Sequence, residues 1–402
     1  MKQDAYFKKV IDFQCGGKTL QFRVSQDLFS SHRVDVGTEF LLKTLVDVLP
    51  GDFLKVLDLG CGYGPIGLTL KKLDETRRVH LVDRDALAVA YARQNAALNQ
   101  IADVEIYGSL GYDDVTATDF DLIVSNIPGK AGESVIAYLL RDACHFLRPG
   151  GRVAIVVVSA LEAMVRDILK DPGIAIVLQE ARSGHTVSHY RFLEGACGGP
   201  RPDKSAVERG IYHREDISVT FHDRTFPMQT ARGLPEFDML DYRSELLLEG
   251  LLSLRRPATG RAVVFNPGQG YAPVVLWKQF NPGAIVLVDR DLLSLRYAGQ
   301  NLALNACPDA RIQLRHQTGL LTGDDGVADL IVGTLREDEG PEGCALTIRQ
   351  AAGQLAPDGT ILVVAGSTAV TRLVDIIRTE KLLRIEKRKR NKGNSLLVLR
   401  PK

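Results

Sequence analysis

The sequence predicts an α/β protein in which one doubly wound, mostly parallel sheet is built twice along the chain. Three observations predict it. The first is an internal repeat: Leu81–Asn99 (LVDRDALAVAYARQNAALN) and Leu287–Asn305 (LVDRDLLSLRYAGQNLALN) agree at 13 of 19 positions at an offset of 206. The second is an alternation of short apolar runs with helical periodicity. The third is a glycine-rich turn that ends the first such run of each copy. The likeness is collinear elsewhere. Gly60-Cys61-Gly62-Tyr63-Gly64-Pro65 is matched by Gly268-Gln269-Gly270-Tyr271-Ala272-Pro273, Asp121–Val124 by Asp329–Val332, and Leu147–Gly151 by Leu355–Gly359. Asp35 and Glu39 are matched by Asp241 and Glu245. Collinear matches mark a duplicated domain.

The elements follow in order. Val10–Phe13 and Leu20–Val24 flank Gly16-Gly17 and read as a β-hairpin. Lys55–Leu59, Val79–Val82, Val104–Tyr107, Leu122–Ser125 and Val153–Val158 are apolar runs of strand length bounded by turn residues, the pattern of buried parallel strands. In Asp85–Asn99, Leu87, Ala90, Tyr91 and Leu98 recur at helical spacing, and Asp85 is placed to cap the helix. Strands alternating with helices imply right-handed crossovers. Ile174–Ala181 and Ser188–Leu193 around Arg182-Ser183-Gly184 read as a terminal antiparallel hairpin. The Gly/Pro-rich stretch Gly195–Pro202 interrupts both periodicities. The domains are therefore expected at 1–196 and 211–402, joined by a linker at 197–210.

Composition bounds the function. The chain has 402 residues, 45% apolar and 25% charged, which suits a globular protein with two cores. A net charge of +1 excludes a uniformly basic nucleic-acid coat. Residues 381–402 nevertheless hold nine Lys/Arg against Glu386 alone, so the rest of the chain is acidic. No apolar stretch approaches the roughly 20 residues that span a bilayer, and Met1-Lys2-Gln3-Asp4 opens no signal core. The six cysteines (Cys15, Cys61, Cys144, Cys197, Cys307, Cys344) are scattered. That predicts reduced thiols, no disulfide framework, no metal site and a cytoplasmic protein without a membrane partner. His185, His189, His213 and His222 lack metal-ligand spacing and are expected on the surface or in hairpins. Trp277 is expected in the core.

The segment VLDLGCGYG at 56–64 ends a strand and opens a helix. Glycine permits tight turns and lets a ligand approach the main chain, and ligands of open α/β sheets bind at the carboxyl ends of strands near the switch in strand order. Two carboxylates distinguish this turn. Asp58, two residues before the first glycine, suits a cationic amino-acid moiety better than a pyrophosphate. Asp83, ending the next strand, is placed for ribose hydroxyls, as it would be in an NAD fold.

These residues, with Ser125-Asn126-Ile127-Pro128-Gly129-Lys130-Ala131-Gly132 and the upstream Phe29-Ser30 and Val34-Asp35-Val36-Gly37-Thr38, carry a family likeness. The chain resembles the class I S-adenosylmethionine-dependent methyltransferases, specifically the methyltransferase small group, to which tandem-domain ribosomal RNA guanine-N2 methyltransferases belong. The resemblance covers nearly the whole chain, once per copy. It implies two tandem Rossmann-like domains, each a mostly parallel seven-stranded sheet with a terminal antiparallel hairpin and a short N-terminal β-hairpin extension. It also implies S-adenosylmethionine as cofactor. Asp58 and Gly60 would hold the methionine end, Asp83 the ribose, and Gly108-Ser109 would lie near the adenine; Gly62 and Gly64 of the same turn and Asn126 would also bind the cofactor. Gly37-Thr38 would line the pocket; the alternative for Thr38 is a helix cap.

In the family the fourth strand ends in Asn-Pro-Pro and an aromatic or aliphatic residue. There the Asn amide oxygen and a following carbonyl accept hydrogen bonds from an exocyclic amine, a positioning effect. Here the motif is Asn126-Ile127-Pro128-Gly129, so Asn126, Ile127 and Pro128 are the expected catalytic residues and the usual stacking side chain is missing at Gly129. Asn126 alone would also suit a plain turn. In the second copy Asn266 is read in place of Asp58, Ala272 in place of Gly64 and Thr334-Leu335-Arg336 in place of Asn126-Ile127-Pro128, while Asp289 matches Asp83. That copy is expected to be catalytically silent. Its basic run Lys387, Arg388, Lys389, Arg390 and Lys392, at the tip of the terminal hairpin, is expected to bind RNA phosphates; a solvated face is the alternative.

The leading expectation is an N-methyltransferase acting on a guanine N2 amine in ribosomal or other structured RNA. A protein or small-molecule amine would keep the chemistry and suit the missing stacking residue. A non-catalytic RNA-binding scaffold would require the first copy to have decayed too. No hydride-transfer constellation supports an NAD dehydrogenase.

Overall fold

A computed structural model of the chain describes residues 4–48, 53–221, 224–254, 260–320 and 326–402. The chain divides into two compact units, Phe7–Tyr212 and His213–Lys402, with residues 4–6 grouping with the second.

The first unit opens with an antiparallel hairpin, β1 (Phe7–Cys15) and β2 (Lys18–Ser25). There follow α1 (Val36–Val48), β3 (Lys55–Leu59), α2 (Pro65–Leu73), β4 (Arg78–Asp83), α3 (Ala86–Leu98), β5 (Val104–Gly108) and β6 (Phe120–Asn126). The unit ends with α4 (Glu133–Arg141), β7 (Leu147–Val158), α5 (Glu162–Leu169), β8 (Ile174–Arg182) and β9 (His185–Phe192). These build a seven-stranded sheet in the order β5-β4-β3-β6-β7-β9-β8, parallel through β7 and antiparallel in the terminal hairpin. Strand order reverses between β3 and β6, so the crevice at their carboxyl ends lies between the glycine turn and Asn126.

The predicted core runs are buried: Val56, Leu57, Leu81 and Val82 are wholly inaccessible in adjacent strands. Asp85 caps α3 by accepting from the Leu87 N–H at 2.9 Å. The expected apolar stripe of α3 fails at its last turn, where Leu98 is exposed. Two asparagines take over there. Asn95 accepts from the Arg23 N–H (2.7 Å) and donates to the carbonyls of Arg23 and Tyr63 (3.1 and 2.9 Å); Asn99 accepts from the Gln21 N–H (2.8 Å). An isolated two-stranded hairpin is marginal in water, and these bonds satisfy the free edge of β2 while tying it to the glycine turn.

The second unit repeats the plan: β10 (His213–Phe221), β11 (Arg224–Ala231), α6 (Tyr242–Leu252), β12 (Arg261–Phe265), α7 (Tyr271–Phe280), β13 (Ala284–Asp289) and α8 (Leu292–Leu304). It continues with β14 (Ile312–His316), β15 (Ala328–Thr334), α9 (Gly340–Gly353), β16 (Leu355–Gly366), α10 (Ser367–Thr379), β17 (Arg384–Asn391) and β18 (Asn394–Arg400). Its sheet order, β14-β13-β12-β15-β16-β18-β17, is the same. Asn301 repeats the task of Asn95, bonding the Gln229 N–H and the carbonyls of Gln229 and Gln269.

Strand pairing corrects the repeat alignment at the turn. Leu59 pairs with Val82 and Phe265 with Val288, and the next N–H groups, of Gly60 and Asn266, donate to those valine carbonyls at 2.9 Å. Gly64 and Gly270 precede α2 and α7 with φ of 93° and 99°. Val264, not Asn266, therefore stands at the place of Asp58; Asn266 stands at Gly60, Gly268 at Gly62 and Gly270 at Gly64. The two G-x-G-Y strings had aligned two residues out of register.

The stretch 197–210 also departs from expectation, since it belongs to the first unit. The Ala206 N–H donates to Asp113 at 2.8 Å, Arg209 pairs with Asp142 at 2.5 Å, and Ser134 donates to the Ile211 carbonyl at 3.0 Å. Gly/Pro content broke the periodicity, but long-range bonds hold the segment down.

Candidate active site

The turn between β3 and α2 is shaped by its carboxylates. Gly60 and Gly62 have φ of 75° and 56°, and the space a Cβ would enter at each is open. Any other residue would be strained there and would crowd the approach to the main chain. The Gly62 N–H donates to Asp83 Oδ2 at 2.8 Å and the Asp85 N–H to Asp83 Oδ1 at 2.9 Å. Asp83 thus fixes the loop that flanks it. Burial pushes its carboxyl up to about 6, against those donated hydrogen bonds.

Asp58 is almost inaccessible. Its Oδ2 accepts from the Gly67 N–H at 2.7 Å, while Oδ1 is buried without a hydrogen-bond partner. An orphaned buried acceptor costs on the order of 1–3 kcal/mol. Burial chiefly, with the charge of Asp83 adding, pushes the Asp58 carboxyl up to about 7. A ligand ammonium would supply the missing donor and charge, so the crevice fits the amino-acid end of S-adenosylmethionine.

Asn126 ends β6 on the facing side of the crevice. Its Nδ2 donates to Asp35 Oδ2 and Thr38 Oγ1, both at 3.1 Å. Only the NH2 end of the amide can face a carboxylate without repulsion, so Asn126 Oδ1 is left as an acceptor. Asp35 Oδ2 also accepts from the N–H groups of Gly37 and Thr38, at 3.0 and 3.2 Å. Asp35, not Thr38, is therefore the cap of α1, and the buried Thr38 hydroxyl orients Asn126. Neither contact was foreseen; the one signal was the match of Asp35 with Asp241.

The rest of the motif is fixed by main-chain bonds. The Ile127 N–H donates to the Val156 carbonyl at 3.0 Å, and the Pro128 carbonyl accepts from the Ala131 N–H at 3.1 Å. Among the described residues the Ile127 carbonyl has no partner. Pro128 and Gly129 are exposed, and a Cβ at Gly129 would lie 3.8 Å from the half-exposed Val158. Pro128 and Val158 offer apolar surface where the usual stacking residue is absent. The Ser109 N–H donates to the Asp83 carbonyl at 2.9 Å. Its hydroxyl donates to Gly111 at 2.7 Å and accepts from the Asp114 N–H at 3.1 Å. Ser109 shapes its loop, and that hydroxyl is already engaged.

The second unit's crevice is wired differently. Asp289 accepts from the Asp291 N–H (3.0 Å), the Ser294 hydroxyl (2.7 Å) and the Arg336 guanidinium (2.5 Å). Arg336 also donates to Asn266 Oδ1 at 3.0 Å, and Asn266 donates to the Thr334 carbonyl at 2.8 Å. A cavity of about 580 Å³ remains, lined by these residues, but an internal cation already pairs its anionic wall. In the sequence Arg336 stands out only as a replacement for Pro128.

The basic run lies on the edge strand β17 and the turn after it. Lys389 pairs with Glu249 at 2.5 Å, Arg388 donates to Thr371 at 2.8 Å, and the Lys392 ammonium sits 3.6 Å from the Tyr242 ring centroid. Lys387 and Arg390 have no such bond among the described residues.

Of the histidines expected on the surface or in hairpins, His185 and His189 lie in β9 of the terminal hairpin and His213 opens β10, while His222 lies outside the described residues. His189 is fully buried there, 2.9 Å from the Thr44 hydroxyl, and burial pushes its pKa down to about 4. One expectation from spacing needs correction. Cys144, His145 and Cys197 come together instead of staying scattered. Trp277, expected in the core, packs against the second unit's core but is only half-buried.

Fold and crevice together define a class I methyltransferase domain, present twice. The methyltransferase small domain model matches residues 19–180 and 227–387, most of the chain. The chain belongs to the methyltransferase small domain family. It is 32% identical over 151 residues to the Bacillus subtilis protein YbxB, covering 37% of this chain and 74% of that one. It is 37% identical over 138 residues to the ribosomal RNA small subunit methyltransferase C of Haemophilus influenzae Rd, covering 33% of this chain and 40% of that enzyme. The alignment thus spans well under half of that relative. The T. thermophilus 16S rRNA N2 G1207 methyltransferase, solved with AdoMet and guanosine, superposes with a TM-score of 0.67 over 98% of both chains, at 17% identity. That likeness extends the tandem fold to the full length. Among the described residues no helix is long and apolar enough to cross a membrane.

Proposed function

We propose that the first unit transfers a methyl group to the exocyclic N2 amine of a guanine in ribosomal RNA, and that the second unit holds RNA without catalysing. The observation that carries this reading is the orientation of Asn126. Asp35 and Thr38 engage both amide hydrogens, so Oδ1 is available to accept from an amine entering the crevice. The Ile127 carbonyl is the second acceptor. An aryl amine is a weak nucleophile because its lone pair is delocalised into the ring. Two acceptors on its hydrogens favour a pyramidal nitrogen and hold the lone pair in line for attack, by orientation rather than by proton abstraction.

S-adenosylmethionine, when bound, supplies a methyl group on a cationic sulfur. Asp58 Oδ1 would take its ammonium, Asp83 its ribose hydroxyls, and the open faces of Gly60 and Gly62 its close approach to the main chain. Gly64 shapes the start of α2. Pro128 and Val158 would give the base an apolar surface. Lys387 and Arg390 are the residues of the basic run best placed to meet phosphate, while Arg388, Lys389 and Lys392 are already held by the second unit. The named activities of the ribosomal RNA methyltransferases among the relatives support RNA as the acceptor.

The test is methyl transfer from tritiated S-adenosylmethionine into ribosomes and lysate of a strain lacking the protein. Label is expected in ribosomal RNA, as N2-methylguanine after digestion. Label that resists ribonuclease and travels with protein would overturn the choice of substrate.

A further inference from the structure

The cluster of Cys144, His145 and Cys197 lies in a part of the first unit that the transfer site does not use. Cys144 and His145 end the short 3-10 turn Asp142–His145 that leads into β7. Cys197 comes from the glycine-rich stretch after β9. One ligand atom from each residue lies within 4.8 Å of the other two. Phe120 pairs with Leu147 at one end of β6 and Asn126 with Val156 at the other. The cluster therefore sits at the opposite end of β6 from Asn126, roughly 20 Å away at about 3.3 Å per strand residue.

The donor set is specific. Two thiols and an imidazole suit zinc(II) and disfavour magnesium or calcium, which take oxygen ligands. Zn–S bonds of about 2.3 Å and Zn–N bonds of about 2.0–2.1 Å place tetrahedral ligand atoms about 3.6–3.8 Å apart, so atoms that lie within 4.8 Å of one another need to close by no more than about 1 Å. The chain around Cys197 is already curved for presentation. The Ala196 N–H donates to Leu193, the Gly198 N–H donates to Gly195, and both Gly195 and Gly198 have positive φ, 78° and 64°. Downstream, the same strap is fastened by the Arg201 guanidinium, 4.4 Å from the Phe146 ring centroid, and by Arg209 on Asp142. Both contacts flank the turn that carries Cys144 and His145.

We propose that Cys144, His145 and Cys197 form a zinc(II) site, completed by water, that fastens the segment after β9 to the turn before β7. Its role is to hold the strap, and it takes no part in methyl transfer.

The test uses the full-length reduced protein, dialysed against zinc(II) and then against metal-free buffer. About one zinc per chain is expected by elemental mass spectrometry, with loss in Cys144→Ser and Cys197→Ser. Cobalt(II) titrated into the metal-free wild-type protein needs no variant. It should produce the visible bands of a tetrahedral site and near-ultraviolet thiolate charge transfer. Chelation should lower the melting temperature of the wild-type protein and leave Cys197→Ser unmoved. Three results would overturn the proposal. These are negligible zinc at micromolar free metal, a cobalt spectrum unchanged in Cys197→Ser, or a Cys144–Cys197 disulfide in reducing buffer, seen as a mass loss of about 2 Da.

Discussion

The two crevices of this chain share a frame and differ in charge. In the first, Asp58 is buried with an unpartnered oxygen beside Asp83. In the second, Val264 stands at the place of Asp58, and Arg336 pairs with the Asp83 counterpart, Asp289. What the units retain is what folding needs: the strand order, the positive-φ turn, the asparagine on the hairpin and an aspartate at the start of the first sheet-covering helix. What they do not share is the set of groups that would face a cationic ligand and an amine. A duplicated domain can therefore keep its stability while the side chains at two strand ends decide whether it suits a cofactor.

The sharpest way to break that contrast is Asn126→Ala. Transfer should fall about 10²–10³-fold, the scale of losing one oriented group at a reacting centre, while cofactor affinity changes by no more than a few-fold. A comparable fall in affinity would mean that Asn126 holds cofactor rather than acceptor. Asp58→Ala should do the reverse, weakening S-adenosylmethionine binding by roughly ten- to a hundredfold, the worth of a charge-assisted bond.

In the second unit Arg336→Ala removes the partner of a buried carboxylate. Asp289 keeps its bonds to Asp291 and Ser294, and Arg336 is partly exposed, so the expected loss is about 2 kcal/mol, read as a lower melting temperature of that unit. A variant with unchanged stability would show that Arg336 is not needed to balance Asp289.

Acidity separates the crevices further. In the free protein Asp58 is protonated below about 7, and a cationic ligand needs the carboxylate. Cofactor affinity should drop by up to about tenfold per pH unit below 7 and level off above it, and Asp58→Asn should flatten the profile. Because the folded pKa is raised, the unfolded chain loses this proton more readily. The ligand-free first unit should therefore lose stability as pH rises between about 4 and 7. The smallest effect is expected on RNA. Lys387→Ala with Arg390→Ala should make the salt slope of binding shallower by about one for each phosphate left without its cation. Lys389→Ala, which removes a residue already paired with Glu249, should change it less.

Much of this was legible in the sequence because it depends on local pattern. Apolar runs of four to six residues marked the strands, and Asp85 the start of α3. The terminal hairpins were visible in their turns, and the repeat made each element count twice. Contacts between distant segments were not legible. The bond from Asn126 to Asp35 joins positions 91 residues apart, and no spacing rule announces it. Arg336 could be seen as a lost proline, but its pairing with Asp289 depends on how the loop after β15 folds back. The alignment error at Asn266 has the same origin. Two glycine-rich strings matched best when shifted, and only strand register decides between them.

If only the first crevice accepts S-adenosylmethionine, calorimetric titration of the intact protein at pH 8 finds a single site per chain, weakened by Asp58→Ala and untouched by Asp289→Asn. Two equal sites, or one site lost in Asp289→Asn and unchanged in Asp58→Ala, would contradict it.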